Sequence, residues 1–461
     1  MAPRYFGRMK SVNPATGEVV AEYEPHSSVE VDGRIEAAHK AFEAWRRVPF
    51  AERSAMMVRT SELLEKRKEE LAQLMTVEMG KPVAAGRAEA EKCAWVCRHY
   101  AANAEQMLAD IPIATDRAKS YVHHEPLGVV LAVMPWNFPF WQVFRFVAPA
   151  LMAGNAGVLK HASNVTGCAI AIEEIISEAG FPDGLFSSLL IGSDKVEAVL
   201  QHPRIVAATL TGSDPAGRAV AQKAGSLLKK TVLELGGSDP YLILADADLV
   251  TAAKTCAASR MINNGQSCIS AKRFIVVSDV AAEFTSEFVK EMAGYEMGDP
   301  AEETTRLGPL ARVDLRDDLH DQVTRTIAAG AELLIGGEIP DGPGAFYPAT
   351  VLAGVRKGMP AYAEELFGPV ATVIDVADEA EAIAVANDSP FGLGAAVFSA
   401  DVARAEEIAA TQLEAGCCFV NTLVASDPRL PFGGIKTSGY GRELSELGIK
   451  EFVNQKTVVV A

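Results

Sequence analysis

The chain has 461 residues, of which 49% are hydrophobic and 22% charged, and this length predicts two or three domains of an ordinary globular protein. Its net charge of −17 argues against a nucleic-acid partner and against an anionic membrane surface, because both need a basic face. An anionic small molecule needs only a few local cations and is not excluded. Seven cysteines scattered along the sequence do not form a disulfide framework, so we expect a reduced, cytoplasmic protein.

The N-terminus and the most apolar run give no sign of export or membrane insertion. Residues 1–10 carry three basic side chains without an apolar core, which is unlike a secretory signal. The run 128–134 is followed by Pro135 and falls far short of the roughly 20 apolar residues of a spanning helix.

One group of residues approaches the spacing of metal ligands. Cys93, Cys97 and His99 lie close together, but they fall in a helical stretch with no second cluster at ligand spacing. The pattern therefore favours ordinary helix packing, and no metal site is predicted.

In chain order, an extended turn at 13–17 precedes helical patterning from about 29 to 107. Gly80 and Pro82 end a helix with four apolar residues on one face, namely Leu64, Leu71, Leu74 and Met75. Short apolar strands then alternate with helices; the predicted strands are 129–134, 156–159, 186–191, 205–210 and 231–235. This alternation predicts βαβ units and a parallel sheet.

A second alternating series runs from about 241 to 421, with predicted strands at 273–277, 370–376 and 394–398. Two α/β lobes with a cleft between them are therefore expected. Residues 120–126 and 455–461 have the pattern of exposed strands. Because an unpaired strand tends to find a partner, pairing across subunits is a plausible interpretation.

Two segments carry the strongest chemical signal. Cys268 ends the run NGQSC (264–268), and Glu234 closes an apolar strand in LELGG (233–237). A single thiol in a glycine-marked loop and a carboxylate in an apolar strand suggest covalent catalysis, in which the thiol attacks and the carboxylate activates water. Taken singly, Cys268 could be a buried apolar thiol and Glu234 a surface residue of an edge strand.

A strand–turn–helix at 209–217 predicts an anion site. Gly212 and Ser213 occupy the turn, where backbone N–H groups and the helix N-terminus attract a phosphate. The pattern is not GxGxxG, so a plain βα turn is an equal alternative. A second strand end, LKHAS (159–163), adds the cation Lys160 to the predicted anion site.

These segments resemble the signatures of the aldehyde dehydrogenase superfamily, and the resemblance extends from about Ser11 to the C-terminus. It implies an α/β fold with a Rossmann-like cofactor domain (1–108 and 127–235), an α/β catalytic domain (236–440) and a small oligomerisation strand element (109–126 and 441–461). A homodimer or homotetramer is expected. The run PFGGIKTSG (431–439) matches a further family signature, whose role we interpret as architectural.

The resemblance implies a dinucleotide site. Lys160 matches the lysine that reaches the adenosine ribose, and Ser163 stands where relatives often have a glutamate that repels a 2′-phosphate. A neutral hydroxyl beside a cation favours NADP over NAD, with use of both left open. The remaining cofactor residues are Trp136 beside the pyrophosphate, Gly236 at a close backbone approach, Glu365 on the nicotinamide ribose and Phe367 against the ring. In isolation, Lys160 would be a solvated lysine, Glu365 a helix-end carboxylate and Phe367 a core residue.

The resemblance also implies the order of chemical events. The thiolate of Cys268 adds to an aldehyde, and the resulting oxyanion takes hydrogen bonds from the Asn137 side chain and the Cys268 N–H. Hydride transfer to the nicotinamide leaves a thioester, which water hydrolyses with Glu234 as general base. Burial is expected to raise the pKa of that carboxyl.

Trp141 and Arg145 lie four residues apart on a predicted helix and share a face, which we expect to look toward the substrate. Arg145 could hold a distal carboxylate, or it could form a salt bridge to a neighbouring acid. Ser426 and Ser267 are predicted to line the same tunnel. This combination of one cation with small hydroxyl side chains resembles that of the succinate-semialdehyde dehydrogenases. The predicted reaction is therefore oxidation of succinate semialdehyde to succinate.

Several alternatives stay open or are disfavoured. A broader aldehyde or betaine-aldehyde dehydrogenase shares the chemistry, although a cationic substrate would want aromatic and acidic groups in place of Arg145. Relatives that acylate coenzyme A need no water-activating carboxylate, so Glu234 disfavours them. A non-catalytic protein of the same fold would not need both Cys268 and Glu234. Ile269 follows the nucleophile, so a redox switch between adjacent cysteines is not expected.

Overall fold

The computed structural model describes residues 8–461, so the predicted absence of a secretory signal over residues 1–10 lies largely outside the described residues. The chain opens with an antiparallel hairpin of β1 (Met9–Val12) and β2 (Val19–Tyr23). Its turn closes through the N–H of Gly17, which donates to Asn13 O at 2.7 Å and has a φ of +78° that favours glycine.

Four helices cover the stretch with helical patterning: α1 (Ser28–Trp45), α2 (Phe50–Lys66), α3 (Lys68–Met79) and α4 (Val83–Met107). A capping box between Ser27 and Glu30 fixes the start of α1. The prediction of one helical face was wrong in part, because the chain turns at Arg67 and places Leu64 on α2 but Leu71 on α3. The predicted stop was confirmed, since Gly80 ends α3 in the left-handed conformation.

Two strands, β3 (Ile111–Pro112) and β4 (Lys119–Pro126), lead into the first large sheet. That sheet contains β5 (Val129–Met134), β6 (Ala156–His161), β7 (Phe186–Ser188), β8 (Ile205–Thr211) and β9 (Lys230–Glu234), all parallel and in the order β9-β8-β5-β6-β7. The connecting helices are α5 (Trp141–Met152), α6 (Thr166–Glu178), α7 (Val196–Gln201) and α8 (Asp214–Ser226). All five predicted strands were confirmed, although the third is shorter than expected.

The second sheet has seven strands in the order β12-β13-β14-β11-β10-β15-β16, and only β12 is antiparallel to its neighbour. Its strands are β10 (Pro240–Ile243), β11 (Arg273–Val277), β12 (Glu332–Ile335), β13 (Thr350–Ala353), β14 (Val370–Val376), β15 (Gly394–Phe398) and β16 (Cys417–Val420). Its helices are α9 (Leu249–Met261), α10 (Ser278–Ala293), α11 (Val313–Ala328), α12 (Pro360–Ala363), α13 (Glu379–Asn387) and α14 (Val402–Thr411). The expected second α/β lobe is therefore present.

The C-terminal segment returns to the first lobe. β17 (Gly439–Tyr440) pairs antiparallel with β9 and becomes the edge of the first sheet; α15 (Ser445–Ile449) and β18 (Val453–Val460) follow. The predicted domain boundaries stay a prediction, with the qualification that β17 lies in the range 236–440 but pairs with the first sheet.

The two strands expected to lack a partner pair with each other. β18 runs antiparallel to β4 through eight register positions, from Val453 opposite Pro126 to Val460 opposite Lys119, and β3 completes a three-stranded sheet. Their backbone groups are satisfied within one chain along that shared edge, so the interpretation that each lacks a partner was wrong. Assembly into a homodimer or homotetramer stays a prediction.

Within residues 8–461, no helix has the length and apolar character needed to cross a bilayer. Cys93 and Cys97 are both buried on α4 in the core of the first lobe. Burial raises the pKa of each thiol, which agrees with a packing role.

Candidate active site

A cavity of about 250 Å³ opens beside the predicted nucleophile, between helices of the first lobe and loops of the second. All four predicted substrate residues and the nucleophile line it, namely Trp141, Arg145, Ser267, Ser426 and Cys268. The sequence therefore identified residues that lie on one cavity although they are far apart in the chain.

The loop that carries Cys268 is held in an unusual backbone conformation. Asn263, Asn264 and Gly265 have φ values of +55°, +57° and +74°, a region that asparagine and glycine tolerate best. Asn263 Nδ2 donates to Asn137 O at 2.7 Å and to Gln266 O at 3.1 Å. Asn264 Nδ2 donates to Gly80 O at 3.1 Å. These buried bonds fix where the nucleophile stands relative to both lobes.

Lys272, four residues after the nucleophile, is a buried cation that the sequence analysis missed. Its Nζ donates to Ser267 O at 2.8 Å and to Cys268 O at 2.7 Å, and it forms an ion pair with Glu365 Oε1 at 3.2 Å. Burial lowers the pKa of the ammonium, and the carboxylate of Glu365 opposes that effect. The available sequence signal was a lysine in the apolar run before β11. A charge in such a run is expected to be buried and therefore to need fixed partners.

The Cys268 thiol is in an environment that keeps its proton. Burial raises its pKa to about 12, while the nearby cations Lys272 and Arg145 lower it. The neutral thiol is a weak nucleophile, so the reaction needs a group that accepts its proton.

Glu234 is the last residue of β9 and is only 2% exposed. β17 covers the outer side of β9, so Glu234 is not the surface residue of an edge strand that the sequence left open. Neither side-chain oxygen has a hydrogen-bond partner among residues 8–461. Burial raises the pKa of this carboxyl well above its ordinary value, the Glu443 carboxylate raises it further and Arg145 lowers it. The direction is the one that the sequence predicted.

The C-terminal signature makes room for this carboxyl. A Cβ on Gly433 would lie 2.6 Å from Glu234 Oε1, closer than any ordinary contact. Gly433 therefore allows the carboxyl to stay where it is, which gives the run 431–439 a role in shaping the site.

Asn137 follows β5 and is 4% exposed. Its Nδ2 donates to Gln266 O at 3.1 Å, two residues before the nucleophile, and its Oδ1 has no partner among the described residues. An amide nitrogen carries two hydrogens, so one remains for an oxyanion.

The residues predicted at the nicotinamide end meet in two pairs. The rings of Trp136 and Phe367 pack edge to face, with centroids 5.8 Å apart. Glu365 Oε1 accepts the Gly237 N–H at 3.0 Å, and a Cβ on Gly236 would lie 2.4 Å from Glu365 Oε2. Glycine at 236 is thus required by the close approach of the carboxylate, as well as by any approach of a cofactor.

The residues predicted at the adenosine end lie at the carboxyl end of β6. Lys160 is 9% exposed; burial lowers the pKa of its ammonium, and Asp194 opposes that effect. Ser163 is exposed at the start of a short 3₁₀ turn, Ser163–Val165. Ser213 precedes α8, but the Gly212 N–H donates to Glu234 O at 3.0 Å and is not available to a phosphate.

Arg145 makes the salt bridge that was one of its two predicted roles, while its role in holding a distal carboxylate stays a prediction. It forms an ion pair with Glu443 and donates from Nη2 to Thr211 Oγ1 at 3.2 Å, while it also lines the cavity. Its guanidinium lies over the Phe432 ring, 4.8 Å from the centroid. Glu443 is the neighbouring acid of the salt bridge, and no sequence pattern had identified it.

Lys92 on α4 is a further cation on the cavity that the sequence analysis missed. Its Nζ donates to Ser426 Oγ at 2.8 Å and lies 4.4 Å from the centroid of the Trp141 ring. Burial lowers the pKa of this ammonium to about 8, and Arg145 lowers it as well. No pattern in the helix distinguishes Lys92 from a surface lysine.

The chain is similar to known proteins along nearly its whole length. The aldehyde dehydrogenase family model matches residues 3–458. The chain is 52% identical over 451 residues to a probable NADP-dependent succinate-semialdehyde dehydrogenase of Synechocystis sp., covering 98% of this chain and 99% of the relative. It is 50% identical over 452 residues to the NADP-dependent succinate-semialdehyde dehydrogenase of Mycobacterium avium, covering 97% and 96%.

Solved structures give the same result. Succinic semialdehyde dehydrogenase from Streptococcus pyogenes, in complex with NADP+, has a TM-score of 0.96 and 40% identity over 98% of this chain and 99% of its own. Gox0499 has a TM-score of 0.97 and 39% identity over 99% and 100%. The fold predicted from the sequence is confirmed, and the chain belongs to the aldehyde dehydrogenase family.

Proposed function

We propose that the chain oxidises succinate semialdehyde to succinate, with NADP as the preferred cofactor. The observation that carries the proposal is that the thiol of Cys268 shares one cavity with two cations, Lys92 and Arg145. A thiol attacks an aldehyde, and cations favour an aldehyde with a carboxylate at its other end. The names of the Synechocystis and Mycobacterium relatives, about half identical over nearly the whole chain, support the same substrate.

In the proposed reaction, Cys268 releases its proton to solvent and its sulfur adds to the carbonyl carbon. The second hydrogen of the Asn137 amide and the Cys268 N–H take up the negative charge on the oxygen. A nicotinamide held against Trp136 and Phe367 would supply the hydride acceptor, and loss of hydride from the adduct would leave a thioester on Cys268. Glu234 then removes a proton from water, the water attacks the thioester, and succinate leaves as the thiol is restored.

Two features of the chain fit the cofactor. The faces of Trp136 and Phe367, with Glu365 on the backbone beside them, form a wall suited to the nicotinamide end. At the other end, the ammonium of Lys160 pairs with no carboxylate at contact distance among residues 8–461, and the exposed Ser163 adds no negative charge. A 2′-phosphate would meet a cation and a hydroxyl there, which favours NADP.

The test is an absorbance assay of nicotinamide reduction with succinate semialdehyde, comparing NADP and NAD on the wild type. Cys268→Ala should abolish turnover. Glu234→Gln should complete the first hydride transfer and then stop, so that intact-mass spectrometry detects one succinyl group on Cys268. Turnover in Cys268→Ala, or a Glu234→Gln variant that accumulates no acyl enzyme, would contradict the mechanism.

A second candidate is a dehydrogenase of broader specificity that takes neutral aldehydes. The apolar part of the cavity wall, formed by Trp141, Phe138 and Phe432, allows it. Comparable efficiency on butanal and succinate semialdehyde would favour this alternative. A betaine aldehyde is disfavoured, because its cation would face Arg145 and Lys92.

A further inference from the structure

We propose that Lys92, acting with the hydroxyl of Ser426, is the specificity-determining contact for the distal carboxylate of the substrate. This inference rests on the proposed function and deepens it. It assigns the role to a residue on α4, a different element from the one that carries Arg145.

The cations on the cavity wall differ in how they are paired. Three cations line the cavity, namely Lys81, Lys92 and Arg145. Lys81 forms a buried ion pair with Glu89, and Arg145 forms one with Glu443. Within residues 8–461, Lys92 Nζ has no carboxylate at ion-pair distance, so it is the one of these three cations without an ion-pair partner.

The nearest acids are already engaged elsewhere. Glu89 holds Lys81, and its Oε1 accepts the N–H groups of Phe140 and Trp141, both at 2.9 Å, at the start of α5. Asp427 pairs with Arg429. An anion that enters the cavity can therefore approach Lys92 without displacing an ion-pair partner.

The contacts of Lys92 also fix its position. Its Nζ lies 4.4 Å from the centroid of the Trp141 ring and donates to Ser426 Oγ at 2.8 Å. An ammonium has three hydrogens, so it can keep the bond to Ser426 and still donate to a ligand. Because Ser426 Oγ accepts from Lys92, its own hydroxyl hydrogen is free to point at the same ligand. The two groups together present donors to the two oxygens of a carboxylate.

Arg145 is less free to take this part. Its guanidinium faces Glu443, donates to Thr211 Oγ1 and stacks on Phe432. The charge that it contributes to the cavity is largely balanced by Glu443. Burial lowers the pKa of Lys92 to about 8, so most Lys92 side chains carry their charge at neutral pH.

The test compares two aldehydes of equal chain length on purified full-length protein. Steady-state kinetics with succinate semialdehyde and with butanal give the preference of the wild type. In Lys92→Met, the KM for succinate semialdehyde should rise about 10- to 100-fold, as expected for the loss of a hydrogen bond to a charged group. The KM for butanal and the kcat for both substrates should change less than about twofold, since a neutral aldehyde does not use the ammonium.

Three further variants sharpen the result. Lys92→Arg should keep most of the preference because it keeps the charge. Lys92→Gln should lose it as Lys92→Met does, which guards against a packing defect caused by methionine. Lys68→Met is the matched control, since it removes a lysine that pairs with Glu91 outside the cavity, and its kinetics should stay those of the wild type.

The outcomes separate the two proposals. A wild type that does not prefer succinate semialdehyde over butanal would refute the proposed function. A wild type that has the preference, together with Lys92→Met and Lys92→Gln variants that keep it, would refute the role of Lys92 alone. Equal losses on both aldehydes would also refute it, because they would mean that Lys92 supports the fold and not the carboxylate.

Discussion

Gly265→Ala tests whether backbone packing places the nucleophile. Gly265 lies three residues before Cys268 and has a φ of +74°. A Cβ at this position would lie 2.2 Å from both the carbonyl carbon and the oxygen of Gly368. These are backbone atoms between Phe367 and Pro369, and no flexible side chain is available to move away.

The magnitude follows from that distance. Ordinary contact begins at 3.4 Å, so the two backbones must separate by 1.2 Å from the present 2.2 Å. The left-handed conformation costs a non-glycine residue about 1–2 kcal/mol, and overpacking typically costs about 1–3 kcal/mol more. A displacement of about 1 Å near the reacting atoms lowers rate on the order of 100-fold. We therefore expect a loss of about 2–5 kcal/mol in the free energy of unfolding and a kcat about 100-fold lower.

Denaturant unfolding and steady-state kinetics on the purified protein measure both quantities. Gly354→Ala is the matched control, because Gly354 has a φ of +63° but the position that a Cβ would take there has no neighbouring atom within 4 Å. The Gly354→Ala variant should lose only the stability that the left-handed conformation costs a non-glycine residue, and its kcat should stay that of the wild type. If Gly265→Ala lost no more stability than Gly354→Ala and kept its kcat within twofold, the reasoning about the loop would be wrong.

Three other changes test the charges of the site. Alkylation of Cys268 by iodoacetamide, followed by peptide mass spectrometry without cofactor, should be slow at pH 7 and accelerate above pH 9, because burial raises the thiol pKa to about 12 and the reactive thiolate forms only as pH rises toward that value. Lys272→Met should move the profile to still higher pH, since this cation lowers the thiol pKa; an unchanged profile would rule out that influence. Ser163→Glu should lower kcat/KM with NADP at least about tenfold while NAD is retained, through repulsion of the 2′-phosphate, and an unchanged cofactor ratio would contradict the role of Ser163.

Local sequence predicted the elements well where their periodicity was strong. The first sheet was predicted from apolar strands such as Val129–Met134, whose residues are nearly all buried on both faces. The break at Arg67 was missed because the apolar spacing continues across it, although α2 and α3 are separate helices that both pack against α4. The pairing of β4 with β18 was missed for a related reason, since strand patterns do not name their partners.

The residues of the site also divide into those that the sequence could predict and those that it could not. Cys268 and Glu234 stand in short motifs that together resemble a family signature, so the sequence alone could predict a reaction for the pair. Lys92 and Lys272 are lysines without a motif around them. Their importance depends on which groups surround each ammonium in space.

Residue types alone were enough to predict the family, the order of the strands along the chain and the pair of residues proposed to carry the chemistry. These follow from local patterns of residue type, which are present in the unfolded chain. The tertiary structure decided which cations are balanced, since charge compensation depends on distance and burial. It paired Arg145 with Glu443, set Lys272 beneath the nucleophile loop and left Lys92 as the cation on the cavity without a carboxylate partner among residues 8–461.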